Sequence, residues 1–293
     1  MRKLGRILTA MVTPFDDGYN INYSEAAKLA QYLVSNGSDG IVVAGSTGES
    51  ATLTADEKIK LYAAVLDAVG DKATVIAGTG SNDTRASIEL TKQAEKIGVH
   101  GAMLVTPYYN KPPQEGLYQH FKAVADETAL PLIVYNVPGR TAANILPATV
   151  ARLAEIKNIA AIKEASGSLE QISEIIRTTP DDFLVYSGDD AMTLPLLAVG
   201  GDGVISVAAH IVGKRMQEMV TAFYAGDMAK AQALHLELLP FFKIIFITTN
   251  PIPIKEAVNL IGFKAGPLRL PLVSPTADET EQLKQVMHSI GAL

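Results

Sequence analysis

The fold is decided by one segment, PLIVYNVPGRTAANILPATVARLAEIKNIAAIKEA, which spans residues 131–165. It contains two nearly continuous apolar runs, PLIVYNVP (131–138) and IAAIKEA (159–165), separated by an interval long enough for a helix. Apolar runs of this kind are typical of parallel strands that are covered on both faces. The segment therefore predicts one strand–helix–strand step of a parallel sheet.

Six more apolar runs repeat the pattern along the chain, namely ILTAMVTPF (7–15), GIVVAG (40–45), ATVIAGTG (73–80), GAMLVTP (101–107), FLVYSGD (183–189) and GVISVAA (203–209). Amphipathic segments lie between the runs, including 54–70 and 83–98. Thr54 and Glu57 predict a capping box at the start of the first segment, and Gly98 predicts the end of the second. The alternation of strand and helix therefore extends through most of the chain.

About eight strand–helix units in sequence predict an α/β fold with a closed (β/α)8 TIM barrel. An open, doubly wound sheet has the same alternation and is the structural alternative. The dinucleotide-binding fingerprint is absent, because GTGSND (78–83) has Asp83 where the third glycine belongs. After about residue 225 the strand pattern stops and the remaining segments are helical. We therefore expect a catalytic barrel domain at 1–225 and a small helical domain at 226–293.

The composition limits the class of protein. Hydrophobic residues make up 48% and charged residues 19% of the 293, which favours a large globular core over disorder. The net charge of −6 and the lack of a basic cluster argue against a nucleic-acid partner. The chain has no cysteine, which excludes disulfides, thiolate nucleophiles and cysteine-ligated zinc.

No segment of the sequence predicts export or membrane insertion. The basic segment MRKLGRILTAMV (1–12) has an apolar run that is too short for a signal peptide. The apolar stretch 238–254 is interrupted by Lys243, Asn250 and two prolines, which favours a packed helix over a membrane span. We expect a soluble, cytoplasmic protein without a membrane partner.

The strongest chemical signal is Lys163, which lies near the end of an apolar run. A cationic lysine there is unfavourable, so its pKa should fall and the nucleophilic amine become accessible. Tyr135 ends the preceding strand, 28 residues earlier (163 − 135), and strand alternation places the two side chains on matching faces. A neutral lysine beside a tyrosine hydroxyl can attack a ketone and exchange protons through a Schiff base. The alternative is a structural lysine paired with Glu164 or an aspartate.

Two loops at predicted strand ends carry groups that suit a carboxylate substrate. AGSTGES (44–50) places glycines around the Ser46 and Thr47 hydroxyls, so that backbone N–H and hydroxyl groups can face an anion. The alternative is a plain strand–helix connection. Arg140, in YNVPGRT, lies near Tyr135 and can bind a carboxylate bidentately. Its alternative is an ordinary surface arginine.

Two further motifs, TPYYNKPPQEG and SGDD, leave more than one interpretation open. Tyr108 and Tyr109 lie on a proline-stiffened loop, where one can face the site and the other a neighbouring subunit; the alternative is surface packing. Asp189 and Asp190 favour a helix cap over a metal site, because the five histidines show no ligand spacing. We therefore expect no catalytic metal.

Seven motifs, in order and spacing, resemble the dihydrodipicolinate synthases, members of the pyruvate-dependent class I aldolase superfamily that includes N-acetylneuraminate lyase. They are GSTGES, TPYYNKP, YNVPGRT, IAAIKEASG, YSGDD, GVISV and NPIPIKEA, and the similarity covers essentially the whole chain. The resemblance implies a (β/α)8 barrel with a helical C-terminal domain and a homotetramer built as a dimer of dimers. It implies condensation of pyruvate with L-aspartate-4-semialdehyde in lysine and diaminopimelate biosynthesis, without a metal or organic cofactor.

The resemblance also implies catalytic roles for individual residues. Lys163 would form the Schiff base with pyruvate, and Tyr135 would donate and accept protons. Ser46 would link Tyr135 to Tyr109 of a neighbouring subunit as a proton relay.

Four other residues would bind the substrates. Thr47 would hold the pyruvate carboxylate, and the backbone at Gly188 and Ile205 would line its pocket. Arg140 would receive the carboxylate of the semialdehyde.

The sequence departs from the family pattern at the relay. Ser46 stands where the synthases usually have threonine, and a Gly-Ser-Thr-Gly-Glu loop is common in the neuraminate lyases. Arg140 and Ala165 favour a synthase, because the lyases replace the arginine and use a hydroxyl two positions after the Schiff-base lysine. N-acetylneuraminate lyase or another pyruvate-dependent aldolase is the alternative function, and a non-catalytic binding barrel is the alternative class.

A second departure concerns regulation. Lysine-inhibited members of the family have polar or charged side chains around an allosteric site near Tyr108 and Asn82. Here Ala55, Lys58 and Ala86 occupy such positions, and Lys58 would repel a lysine ammonium group. We expect weak or no feedback inhibition by lysine.

Overall fold

The strands lie where the sequence predicts them. A computed structural model describes residues 4–293, so the first three residues of the basic N-terminal segment lie outside the described residues. Within 4–293 the strands are β1 (Ile7–Ala10), β2 (Gly40–Val43), β3 (Thr74–Gly78), β4 (Gly101–Val105), β5 (Leu132–Asn136), β6 (Ile159–Glu164), β7 (Leu184–Ser187) and β8 (Gly203–Ser206). They pair in chain order as a closed barrel of parallel strands. The predicted (β/α)8 barrel is therefore confirmed, and the open doubly wound alternative is wrong.

Helices follow the strands and make up most of the C-terminal part. Within the described residues they are α1 (Tyr23–Ser35), α2 (Ala55–Val69), α3 (Thr84–Ile97), α4 (Gln114–Ala125), α5 (Pro138–Thr141), α6 (Pro147–Ala154), α7 (Leu169–Thr178), α8 (Thr193–Ala198), α9 (Ala209–Tyr224), α10 (Met228–Ile244), α11 (Ile252–Leu260) and α12 (Ala277–Ser289). The last three confirm the predicted helical segments after residue 225. Among the helices of residues 4–293, none is long and apolar enough to cross a membrane.

The predicted helix ends are present. Thr54 Oγ1 accepts a hydrogen bond from Glu57 N, and the Glu57 carboxylate accepts one from Thr54 N, which completes the capping box of α2. Gly98 follows α3 with φ of 92°, a left-handed conformation that glycine adopts without a steric penalty. Local sequence signals therefore set the boundaries of these two helices.

The chain divides into two compact units, residues 76–205 and residues 4–75 with 206–293. In the first unit, a one-residue irregularity lies between β5 and β6. Leu132 of β5 pairs with Ile159 of β6. The next residue, Ile133, pairs with Ala161, so that Ala160 is the extra residue of a β-bulge.

This bulge decides which side chains meet at the ends of the strands. Continued without the shift, the register of Leu132 would place Tyr135 opposite Ile162, whereas the observed register places Tyr135 opposite Lys163. Lys163 in turn pairs with Tyr186 of β7. Three neighbouring strands therefore present Tyr135, Lys163 and Tyr186 at one level.

The second unit packs helices around β1 and β2. Fully buried side chains from α1, α2, α9 and α10 form its core, including Leu33, Tyr62, Met216 and Phe241. β2 ends at Val43, and the turn that follows, residues 44–50, contains the predicted hydroxyl-bearing loop.

Candidate active site

Lys163 is a buried lysine near the carboxyl end of β6. The residue is 4% exposed, and its Nζ lies 4.4 Å from the centroid of the Tyr135 ring. Burial lowers the pKa of the Lys163 amine to about 8; the Asp190 carboxylate opposes this shift, and the Arg140 guanidinium adds to it. Desolvation therefore makes the neutral, nucleophilic amine far more accessible than it is in an exposed lysine.

The structural alternative for Lys163 was an ion pair. Among residues 4–293, no carboxylate forms an ion pair with its Nζ. Glu164, the next residue in the chain, points to the other face of β6 and accepts hydrogen bonds from Asn136, Ser166 and Gln171 instead. The arrangement therefore favours a nucleophilic role for the Lys163 amine over a purely structural role in an ion pair.

Gly188 keeps space open beside Lys163. Its N–H donates to Glu164 O at 2.7 Å, which fixes the turn after β7 against the end of β6. A Cβ at position 188 would lie 3.1 Å from Lys163 Cε and 2.6 Å from Ala165 Cβ. Any side chain there would press on the lysine, so the site requires glycine. Ile205, the other predicted pocket residue of this unit, is fully buried in β8.

Arg140 lies in the short helix α5 that follows β5, and its side chain is exposed. It is close enough to Lys163 for its charge to affect the lysine pKa, which agrees with the expectation that it lies near Tyr135. An exposed guanidinium near the Lys163 amine can receive a carboxylate that arrives from solvent.

The two tyrosines of the loop after β4 differ in exposure. Tyr108 is 38% exposed and Tyr109 is 90% exposed. Tyr109 also has φ of 71°, a left-handed conformation that is uncommon for a bulky residue. The Tyr109 ring therefore makes little contact with the rest of the described chain.

A buried carboxylate–amide network behind the Lys163 strand was not predicted. Glu164, 1% exposed, accepts hydrogen bonds from Asn136 Nδ2 at 2.9 Å and Gln171 Nε2 at 3.2 Å. Asn136 Nδ2 also donates to Asn144 Oδ1, and Asn136 Oδ1 accepts from Ile145 N. The network ties β6 and α7 to the segment that follows Arg140. Its only sequence signal is one charged residue and three amides spread over residues 136–171.

In the second unit, the turn 44–50 has an unusual backbone. Ala44 has φ of 52° and Glu49 has φ of 56°, so two non-glycine residues are left-handed within one short turn. Gly48 N donates to Gly45 O at 3.0 Å, which closes the turn. Thr47 is 3% exposed and Ser46 is half-buried. Strain of this kind is typical of functional turns and is maintained only where the surroundings impose it.

Residues of the C-terminal part impose that conformation, and the sequence did not predict them. Asn250 Nδ2 donates to Thr47 Oγ1 at 3.0 Å. Lys255 Nζ lies 2.7 Å from Glu49 Oε1, and each side chain of this ion pair is 1% exposed. Arg269 N donates to Glu49 Oε2 at 2.9 Å. These contacts join residues more than 200 positions apart, so the sequence near either partner does not predict them.

Asp189 and Asp190 have different roles. Asp189 Oδ1 accepts from Ala191 N at 2.9 Å, so the predicted cap is present at the start of a 3-10 turn. Asp190 is 1% exposed and acts electrostatically on Lys163. Among residues 4–293, no group of three or more histidine, aspartate or glutamate side chains is arranged to hold a metal ion.

Comparison with known proteins gives the same family at several levels. Residues 3–290 match the Dihydrodipicolinate synthetase family. A 4-hydroxy-tetrahydrodipicolinate synthase from Moorella thermoacetica is 61% identical over 289 residues, which cover 99% of each chain. The solved structure of a dihydrodipicolinate synthase from Bacillus anthracis matches with a TM-score of 0.97 at 52% identity and 99% coverage of each chain. The enzyme from Cyanidioschyzon merolae, solved with lysine bound, matches with a TM-score of 0.98 at 49% identity and 99% coverage of each chain.

Proposed function

Because the chain belongs to the dihydrodipicolinate synthetase family, we propose that it condenses pyruvate with L-aspartate-4-semialdehyde through a Schiff base on Lys163. The enzyme is a class I aldolase-type lyase that forms 4-hydroxy-tetrahydrodipicolinate for lysine and diaminopimelate biosynthesis. The observation that carries this proposal is the buried amine of Lys163, with its lowered pKa, beside the Tyr135 ring.

The chemistry begins at the lysine nitrogen. Neutral Lys163 attacks the ketone carbon of pyruvate, and loss of water gives an imine. Removal of a proton from the methyl carbon gives an enamine, which attacks the aldehyde carbon of the second substrate and forms the new carbon–carbon bond; the aldehyde oxygen takes up a proton. The amino group of the second substrate then attacks the imine carbon, closes the ring and releases the Lys163 amine. Each step moves a proton, so a tyrosine hydroxyl close to the nitrogen is the group that the reaction needs.

Tyr135 is the proton donor and acceptor in this proposal, and its position opposite Lys163 supports the role. Ser46 passes protons between Tyr135 and Tyr109 of a neighbouring subunit. The 90% exposure of Tyr109 and its left-handed backbone support a contact outside its own chain. Assembly as a homotetramer, a dimer of dimers, is part of the proposal, as is a cytoplasmic location.

Binding roles fall to four residues. Thr47 holds the pyruvate carboxylate, and the backbone of Gly188 and Ile205 lines the pocket around the substrate. The absence of a side chain at 188 next to Lys163 Cε supports that role for the glycine. Arg140 receives the carboxylate of the semialdehyde, because it is exposed and near the reacting amine.

Turnover with two aldehydes tests the proposed function. With pyruvate present, we expect rapid turnover of L-aspartate-4-semialdehyde and little or none of N-acetylmannosamine. Faster turnover of N-acetylmannosamine would identify a neuraminate lyase, the alternative that Ser46 keeps open. Lack of turnover of either aldehyde, together with unmodified lysines after borohydride reduction with pyruvate, would identify a non-catalytic binding barrel.

A further inference from the structure

The C-terminal part of the chain holds the turn 44–50 in its strained conformation. Glu49 is left-handed, and its side chain is fixed by two groups, the Lys255 ammonium at 2.7 Å and the Arg269 backbone N–H at 2.9 Å. The Arg269 guanidinium also donates to Thr52 O and to the Glu57 carboxylate, and thus ties the residues after the turn. The turn is therefore anchored from outside and does not depend on its own sequence alone.

A buried ion pair contributes little net stability, because both charges lose their hydration. Both side chains of the Lys255–Glu49 pair are 1% exposed, and the desolvation of two such charges offsets most of their attraction. Apolar residues of similar size often stabilise a protein as well or better. The charged pair instead fixes the orientation of the Glu49 carboxylate, because each of its two oxygens has its own hydrogen-bond donor. The pair therefore fixes the end of the turn in one orientation.

The contact between Asn250 and Thr47 fixes the direction of a hydrogen bond. Asn250 Nδ2 donates to Thr47 Oγ1 at 3.0 Å, so the hydroxyl oxygen is already an acceptor in this bond. A threonine hydroxyl has one hydrogen and two lone pairs. The hydrogen of Thr47 is therefore left to donate elsewhere, which is what a carboxylate ligand requires.

We propose that Asn250 and the Lys255–Glu49 pair are positioning residues that hold Thr47 so that its hydroxyl donates to the carboxylate of the 2-oxo acid. This inference rests on the proposed function, in which Thr47 binds that carboxylate. It assigns to the C-terminal part of the chain a role in selecting 2-oxo acids over simple ketones. Asn250 and Lys255 act through the turn, and neither needs to touch the substrate.

Trapping with two ketones separates positioning from general stability. Wild type, Asn250→Ala and Asn250→Asp are incubated with pyruvate or with acetone, which lacks the carboxylate, and the imine is reduced with borohydride. We expect Asn250→Ala to raise the half-saturating pyruvate concentration about tenfold, the effect of losing one well-placed bond to a charged group. Trapping with acetone should change by less than about twofold, because acetone has no carboxylate for the Thr47 hydroxyl to bind.

The Asn250→Asp variant tests whether the direction of the hydrogen bond between residue 250 and Thr47 matters. A carboxylate at this position accepts the hydrogen of Thr47 and turns it away from the substrate, which it also repels. We expect a loss of pyruvate affinity of about 100-fold, larger than that of the alanine variant. In a Thr47→Val background, the alanine change at 250 should have no further effect on pyruvate, because the hydroxyl it orients is gone.

The ion pair is tested by two double variants. Glu49→Gln with Lys255→Gln keeps a hydrogen bond without charge, and we expect the pyruvate-to-acetone trapping ratio to stay within about threefold of wild type. Glu49→Ala with Lys255→Ala releases the turn, and we expect the ratio to fall more than about tenfold. The exposed pair Lys92 and Glu127 supplies a control, since removing both should leave the ratio unchanged.

The results distinguish this inference from the proposed function. If wild type is not trapped by pyruvate, the proposed function fails. If wild type is trapped but both Asn250 variants keep its pyruvate-to-acetone ratio, the inference alone is overturned. An equal loss with both ketones would also overturn it, because that result indicates a structural role only. If the Glu49→Ala, Lys255→Ala variant does not fold, the two Asn250 variants decide.

Discussion

Tyr135 and Lys163 occupy paired positions on neighbouring strands, and the Lys163 Nζ lies 4.4 Å from the centre of the Tyr135 ring. The pairing depends on the bulge at Ala160, which moves the register of β6 by one residue. One residue of register decides which face of a strand a side chain occupies. A backbone irregularity thus brings together a tyrosine ring and a buried amine on neighbouring strands.

Replacing Arg140 by alanine should damage use of the aldehyde more than formation of the imine. Loss of a charge-assisted bond to a carboxylate predicts a fall in kcat/KM for L-aspartate-4-semialdehyde of about 10–100-fold. Borohydride trapping of pyruvate, measured above pH 8, should change by less than about threefold. The exposed Arg85→Ala variant is the control. Equal damage to both steps would contradict the role assigned to Arg140.

The Glu164 network predicts a large effect from a small substitution. Glu164→Gln places an NH2 group among donors from Asn136, Ser166 and Gln171, so at least one buried bond is lost. We expect a loss of unfolding free energy of about 1–3 kcal/mol in urea titrations. Glu170→Gln, an exposed change on α7, should cost less than about 0.5 kcal/mol. Equal stability of the two variants would contradict the proposed importance of the network.

The buried, neutral ring of His210 should make the protein less stable in acid. Its Nε2 accepts from Val12 N at 3.1 Å and its Nδ1 lies 2.8 Å from Val207 O, an arrangement that requires the neutral ring. Burial lowers its pKa to about 4, whereas the unfolded chain titrates near 6.5. The folded state then binds fewer protons, so the contribution of His210 is complete above pH 6.5 and is lost as the pH falls to 4.

The size of this effect is about 2–4 kcal/mol. In His210→Gln, the free energy of unfolding should depend less on pH between 6.5 and 4 than in wild type, because the titrating ring is gone. His288→Gln, at an exposed position near the C-terminus, is the control and should leave the slope unchanged. An unchanged slope in the His210 variant would show that this ring does not control acid stability.

Feedback by lysine should be weak or absent. Lys58 is half-buried, and desolvation lowers its pKa. The resemblance to the lysine-inhibited enzymes implies that it replaces a polar side chain of their lysine site and repels the ammonium group of the ligand. We expect less than half inhibition at sub-millimolar lysine in a steady-state assay. Lys58→Glu should increase sensitivity if this side chain is the obstacle. Half-maximal inhibition of wild type at sub-millimolar lysine would contradict the prediction.

Much of the fold could be predicted from the sequence because its signals are local. Continuous apolar runs marked all eight strands, although each run is longer than its strand, by one residue at β6 and by five at β1. The capping box at Thr54 and the stop at Gly98 depend on three or four neighbouring residues. The proximity of Tyr135 and Lys163 was also predicted, because they end two consecutive strands, whereas their exact pairing depends on the bulge.

The parts that could not be predicted depend on distant contacts. The Lys255–Glu49 ion pair joins residues 206 positions apart, and the sequence around either residue does not indicate its partner. The bulge at Ala160 has no signal in IAAIKEA, because its neighbours are equally small and apolar. The domain boundary at 225/226 and the roles of Ser46, Tyr109 and the remaining site residues stay predictions.

Covalent trapping at Lys163 is the most direct test of the central claim. Protein, pyruvate and borohydride are combined across pH 6 to 9, and the modified peptide is identified by mass spectrometry. We predict one adduct, on Lys163, whose rate of formation rises with pH and levels off above about 8, the lowered pKa of its amine. Lys163→Met should give none. An adduct on Lys255, which is equally buried, or no adduct on any lysine, would contradict the account.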